Sequence, residues 1–228
     1  MNPGLSKILL AGAALGTVLN LADSIRDRGP RNALTLFGLG ICLPAIGESL
    51  VTGPLKLLRH RTRPRVAGVP ISILLGWYCA INGSLAVAER ALAQLPMSES
   101  RRRAVLPVGA ALVGTSLDLI LDPCGLDIGL WEWRADGPYA AEIEGSNGRK
   151  GVPVVNYLGW MALVGGTAHA HERLSGNSGI SSESCIPGLL LVPFYLAAFA
   201  WAIRERKPCY LLYSAAFPAA LGMSIRRS

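Results

Sequence analysis

The chain has 228 residues, of which 51% are hydrophobic and 16% charged, against about 25% charge in an ordinary soluble domain. With a mean hydropathy of +0.38, that composition excludes intrinsic disorder and a polar soluble fold. The formal net charge of +7, from 22 basic and 15 acidic residues, invites a nucleic-acid reading that the placement of the apolar residues argues against.

Stretches free of Asp, Glu, Lys and Arg run from Ile8 to Ala22, Asn32 to Gly47, Val66 to Ala88, Ala104 to Leu117, Gly151 to His171, Ser184 to Ile203 and Pro208 to Ile225. A membrane-spanning helix needs roughly 17–25 mostly apolar residues. Four of the stretches reach that length alone. The second and fourth reach it by admitting one acid each, Glu48 and Asp118, and the first by extending back over Leu5 and Lys7. The expectation is an all-α, polytopic bundle of about seven transmembrane helices, a single integral-membrane domain over 1–228. Lys7 before an apolar run has the outline of a signal peptide, but Asn20 and Ala22 make a poor cleavage pair, so the first stretch is read as a retained helix. Five cysteines without a CxxC spacing point to neither a disulfide framework nor a zinc site.

With seven helices the N-terminus lies on one side, face A, with the connections Thr52–Ala67, Asp122–Lys150 and Arg204–Lys207. The other connections and the tail lie on face B. Twelve of the 22 basic residues fall on face A and ten on face B, a slight bias for a cytoplasmic face A. Clusters such as Arg59, Arg61, Arg63 and Arg65 lack interleaved aromatics, so they read as topology signals and contacts to anionic headgroups. Membrane lipid is thus expected as a partner and nucleic acid is not. Glycines at positions 12 and 16, and at 159, 165 and 166, suit close helix packing.

Ionisable groups inside spans are costly and functional by default. Glu48 closes the second stretch, Asp118 and Asp122 follow the fourth, and Asn156 opens the fifth, so all four fall toward face A. Asp118 and Asp122 are four apart and share a helix face. Two carboxylates that close, partly out of water, cannot both ionise cheaply, and one is then available as a proton donor. Asp122 precedes Pro123 and alternatively caps a turn. Trp131, Trp133 and Tyr139 either form an interfacial belt or line a groove for a long apolar ligand and face a cation. His169 and His171, two apart, point nearly opposite ways on a helix and read as interfacial residues; no metal site is expected. Nucleotide-binding and hydrolase motifs are lacking, so no cofactor is expected.

These residues resemble the carotenoid biosynthesis membrane family, which includes hydratases acting on γ-carotene and bisanhydrobacterioruberin. A first block reads Gly47-Glu48, Thr52-Gly53-Pro54 and Gly68-Val69-Pro70. A second reads Asp118, Asp122-Pro123, Gly129, Trp131, Trp133, Gly137-Pro138-Tyr139, Gly151-Val152-Pro153, Asn156 and Gly159-Trp160. The chain departs from the family at Pro54-Leu55-Lys56, where Pro-Phe-Gly and spaced tyrosines are usual, and at 140–150, which has the look of an insertion. The resemblance implies addition of water to the terminal double bond of an acyclic carotenoid end group, giving a tertiary alcohol. It also implies a carotenoid substrate and other enzymes of that pathway as partners. Asp118, Asp122 and Glu48 become the candidate catalytic residues, and Trp131, Trp133, Tyr139, Asn156, Trp160 and Thr52 the candidate substrate contacts. A catalytically silent carotenoid-binding or scaffold protein, and a small multipass transporter, are the alternatives.

Overall fold

The computed structural model describes residues 3–175 and 183–225. Two long apolar helices open the chain, α1 (Pro3–Arg28) and α2 (Pro30–Thr52). The reversal between them is made by Gly29 at φ 77°, followed by Pro30 in the first turn, a position where the missing N–H costs nothing. Then come β1 (Leu58–His60), β2 (Arg65–Val66) and β3 (Val69–Pro70), before α3 (Ile71–Ala93) and α4 (Glu99–Asp127). Ser98 caps α4 by accepting from the Arg101 amide. A connection holding β4 (Trp131–Trp133), β5 (Tyr139–Glu144) and β6 (Lys150–Val152) leads to α5 (Val154–Ser175). The chain closes with α6 (Ile186–Leu189), α7 (Val192–Arg204), α8 (Cys209–Tyr213) and α9 (Ala216–Ile225).

The third helix is the centre of the bundle. Every residue of it from Trp77 to Arg90 is buried, as befits a helix surrounded by others. By contrast α1 and α2 present Ile8, Leu15, Val18, Leu34 and Ile46 outward, the apolar exposure that suits a lipid surround. The protein is a multi-pass integral membrane protein. Five helices are long and apolar enough to cross a membrane: Gly4–Arg28, Pro30–Thr52, Ile71–Ala93, Glu99–Asp127 and Ile186–Arg204, the last joining α6 and α7.

Length and composition alone thus support five of the seven expected spans. The expected span over 208–225 is broken into α8 and α9, neither long enough alone. Pro218 has no N–H for the Ser214 carbonyl four residues back. The Phe217 amide reaches that carbonyl instead at 3.1 Å, and Ser116 of α4 bonds both, donating to the carbonyl at 2.9 Å and accepting from the amide at 3.0 Å. The alternative reading of Asp122-Pro123 as a turn is not met, because α4 runs through Pro123 to Asp127. Proline there frees the Leu119 carbonyl, and the Tyr139 hydroxyl donates to it at 2.6 Å.

Two further features differ from the sequence reading. The connections between helices are not plain loops, since they carry three two-stranded antiparallel sheets. Buried polar residues also lie outside the face A end. Asn82 of α3 donates to Asn20 and Ser24 of α1 at 3.0 and 2.9 Å, and Arg28 pairs with both oxygens of Glu89 at 2.9 and 2.6 Å. These groups pair across the α1–α3 interface, the usual use of polar side chains between membrane helices. His171 is buried, with Nε2 3.1 Å from the Asn32 carbonyl, while His169 is exposed. Residues 176–182 of the expected face B connection Glu172–Glu183, and the tail arginines, Arg226 and Arg227, lie outside the described residues.

Candidate active site

The site is roofed by residues far apart in sequence. Strand β1 pairs antiparallel with β4, setting Leu58 opposite Trp133, Arg59 opposite Glu132 and His60 opposite Trp131. Side chains alternate across a strand, and here the alternation separates two jobs. His60, Trp131 and Trp133 line a cavity of about 290 Å³. On the other face Glu132 receives Arg61 and the Ser146 hydroxyl. Burial disfavours the ionised form of Glu132, but the Ser146 hydroxyl and the Arg61 and Arg59 guanidiniums outweigh it and hold the carboxyl below the usual range. Arg65 donates to the carbonyls of His60 and Thr62. Part of the basic cluster therefore braces the roof, beyond any contact with headgroups.

Beneath the roof lie the acids. Asp118 and Asp122, both 3% exposed, sit one turn apart on α4. Asn156, in the first turn of α5, donates through one amide nitrogen to both, at 2.7 Å to Asp118 and 3.0 Å to Asp122. The two carboxylates are thereby held within two hydrogen-bond lengths of each other. The Trp133 indole donates to Asp122 at 3.2 Å. Glu48, at the far end of α2, accepts from the Trp77 indole at 2.9 Å through Oε1 and faces His60 Nε2 at 2.8 Å through Oε2. All three acids and Asn156 line the same cavity.

Four of the five tryptophans, Trp77, Trp131, Trp133 and Trp160, line it as well. Trp77 and Trp160 stack with centroids 4.2 Å apart. Trp131 comes so close to α4 that a Cβ at Gly125 would lie 2.1 Å from its ring, so the helix needs glycine there. The rest of the wall is mostly apolar and runs between α1 and α7 from Leu9 and Ala13 to Phe194 and Ala197. The last two are exposed on the outer surface of the bundle, so the cavity reaches the side that lipid would cover.

Tyr139 and Thr52 are not brought to the cavity wall. Tyr139 packs against Tyr157, Tyr210 and Tyr213 while satisfying Leu119. The Thr52 hydroxyl donates to the Glu48 carbonyl at 2.7 Å in the last turn of α2. Sequence reasoning missed His60, Thr62, Ser72 and Trp77, all of which line the cavity. His60 lies within an arginine cluster and Trp77 within an apolar run, and no local signal marks either. Among the described residues no three of His, Cys, Asp or Glu are grouped to hold a metal ion.

A family model described as "carotenoid biosynthesis protein" matches residues 59–225. No curated protein and no solved structure matches the chain.

Proposed function

This chain belongs to the carotenoid biosynthesis protein family, and within it we propose a hydratase, which adds water to the terminal double bond of an acyclic carotenoid end group. The observation that carries the reading is the pair Asp118 and Asp122, joined by Asn156 at the buried end of a largely apolar cavity. A pure binder of hydrocarbon gains nothing from two buried carboxyls, whose desolvation is expensive.

Hydration of an isolated alkene requires a proton donor, shelter for a tertiary carbocation, and one water. The Asp118/Asp122 pair delivers the proton to the less substituted alkene carbon. Positive charge then develops on the neighbouring carbon, among the faces of Trp77, Trp131, Trp133 and Trp160, whose ring quadrupoles favour a cation. Water adds to that carbon and loses a proton, giving the tertiary alcohol. No redox partner or nucleotide enters the balance. The cavity, at about 290 Å³, is at the low end of sites for drug-sized ligands, about 300–1,000 Å³. It therefore admits one end of a long polyene, with the remainder leaving between α1 and α7 into lipid.

Expression in a bacterial host that accumulates an acyclic carotenoid tests this. The pigment should gain one water per reacted end, as a tertiary hydroxyl seen by mass spectrometry. Pigment that co-purifies with the protein but is recovered unchanged would favour the silent carotenoid-binding reading, and pigment neither bound nor changed would leave neither standing.

A further inference from the structure

The proposed reaction must also take a proton from the attacking water, and the roof holds a base separate from the donating pair. His60 is 3% exposed and lines the cavity that contains the aspartates. Its Nε2 faces Glu48 Oε2 at 2.8 Å, and the other oxygen of that carboxyl is fixed by the Trp77 indole, which can only donate. A carboxylate accepting from Nε2–H fixes the imidazole tautomer and leaves Nδ1 with its lone pair. Nδ1 is buried and has no hydrogen-bond partner among the described residues, and the same holds for the hydroxyl of Thr62, another residue of the cavity wall. Buried polar atoms are nearly always paired. Both atoms belong to residues that line the cavity holding the proton-donor pair.

We infer that His60, oriented by Glu48, is the general base that accepts the proton of the attacking water, with Thr62 helping to hold that water. This rests on the hydratase reading and divides the site by role. The aspartate pair on α4, with Asn156 of α5, donates the first proton. The imidazole on β1, with Glu48 of α2, receives the second. In the step itself the water oxygen forms a bond to the cationic carbon as one of its O–H bonds breaks, and that proton passes to Nδ1. The imidazolium then returns the proton through water to the aspartate pair, so the site is restored with one water consumed. Glu48 is a positioning residue in this scheme.

Deuterium exchange separates the two halves. Purified full-length protein in vesicles is given an acyclic carotenoid in D₂O, and both the alcohol and the recovered alkene are analysed. In the His60→Gln protein hydration should fall roughly 10²–10⁴-fold, the range for a lost general base. Protonation by the aspartates continues and the cation collapses back, so the recovered alkene should still acquire deuterium at its vinyl position. Hydration at the wild-type rate would overturn the inference. So would loss of both hydration and exchange in protein that accumulates normally, since His60 would then serve the protonation step. Should His60→Gln fail to accumulate, Glu48→Gln keeps the imidazole and removes its carboxylate partner. Slowed hydration with exchange retained supports the assignment there, and an unchanged rate contradicts it. Wild-type protein that neither hydrates nor exchanges would instead remove the hydratase reading itself.

Discussion

Among single residues Asp118 matters most to the proposed reaction, because it shares the Asn156 amide with Asp122. Replacing Asp118 with Asn keeps its size and some hydrogen bonding but removes a proton the pair needs. Hydration should drop by roughly 10²–10⁴-fold while the protein still inserts and accumulates. Cys42→Ser, at an exposed position on α2, serves as the control and should leave the rate unchanged. Full activity in Asp118→Asn would move the donor role to Asp122, and lost accumulation would mark Asp118 as structural. Asp118, Asp122 and Asn156 were legible in the sequence because a polar residue in an apolar helix is rare and costly. His60 was not, because a histidine among arginines is unremarkable until strand pairing turns it inward. Tyr139 was legible as a notable residue but not by its task, which exists only because Pro123 leaves the Leu119 carbonyl free.

At the scale of elements, the β1–β4 roof is the part that helix patterns do not reveal. Its strands are three residues each and pair across more than seventy positions of chain, from Leu58 to Trp133, so neither half carries a signal on its own. Glu132 on its outer face provides a pH test. Its carboxyl titrates lower in the folded chain than in the unfolded one, where the value is about 4.3. The stabilisation is therefore complete above that unfolded value and is lost as pH falls through the folded one. Tryptophan emission should report the roof loosening on acidification. In Glu132→Gln the roof should be weaker at neutral pH and its acid step absent. Identical acid profiles for the two proteins would show that Glu132 does not brace the roof. The five long apolar helices were legible from stretches with few or no charges. The break between α8 and α9 was not, because it is bonded from outside by Ser116 of another helix, which meets the Ser214 carbonyl and the Phe217 amide.

At the scale of the whole molecule, the bundle places a polar end and an apolar exit in one cavity. The acids and the imidazole sit under the roof, four indoles surround the space, and the far wall opens between α1 and α7 where lipid would lie. That arrangement suits a substrate that never leaves the membrane and offers only its end to the chemistry. The buried pair of Arg28 and Glu89 and the amides of Asn20 and Asn82 belong to a different layer, where they hold α1 to α3. In the proposed reaction water becomes part of the product at this site. Purified protein in vesicles, given an acyclic carotenoid in oxygen-18 water, should yield a tertiary alcohol carrying the heavy oxygen, and the Asp118→Asn protein should yield almost none. Recovery of unlabelled, unhydrated carotenoid from active-site-intact protein would contradict the account.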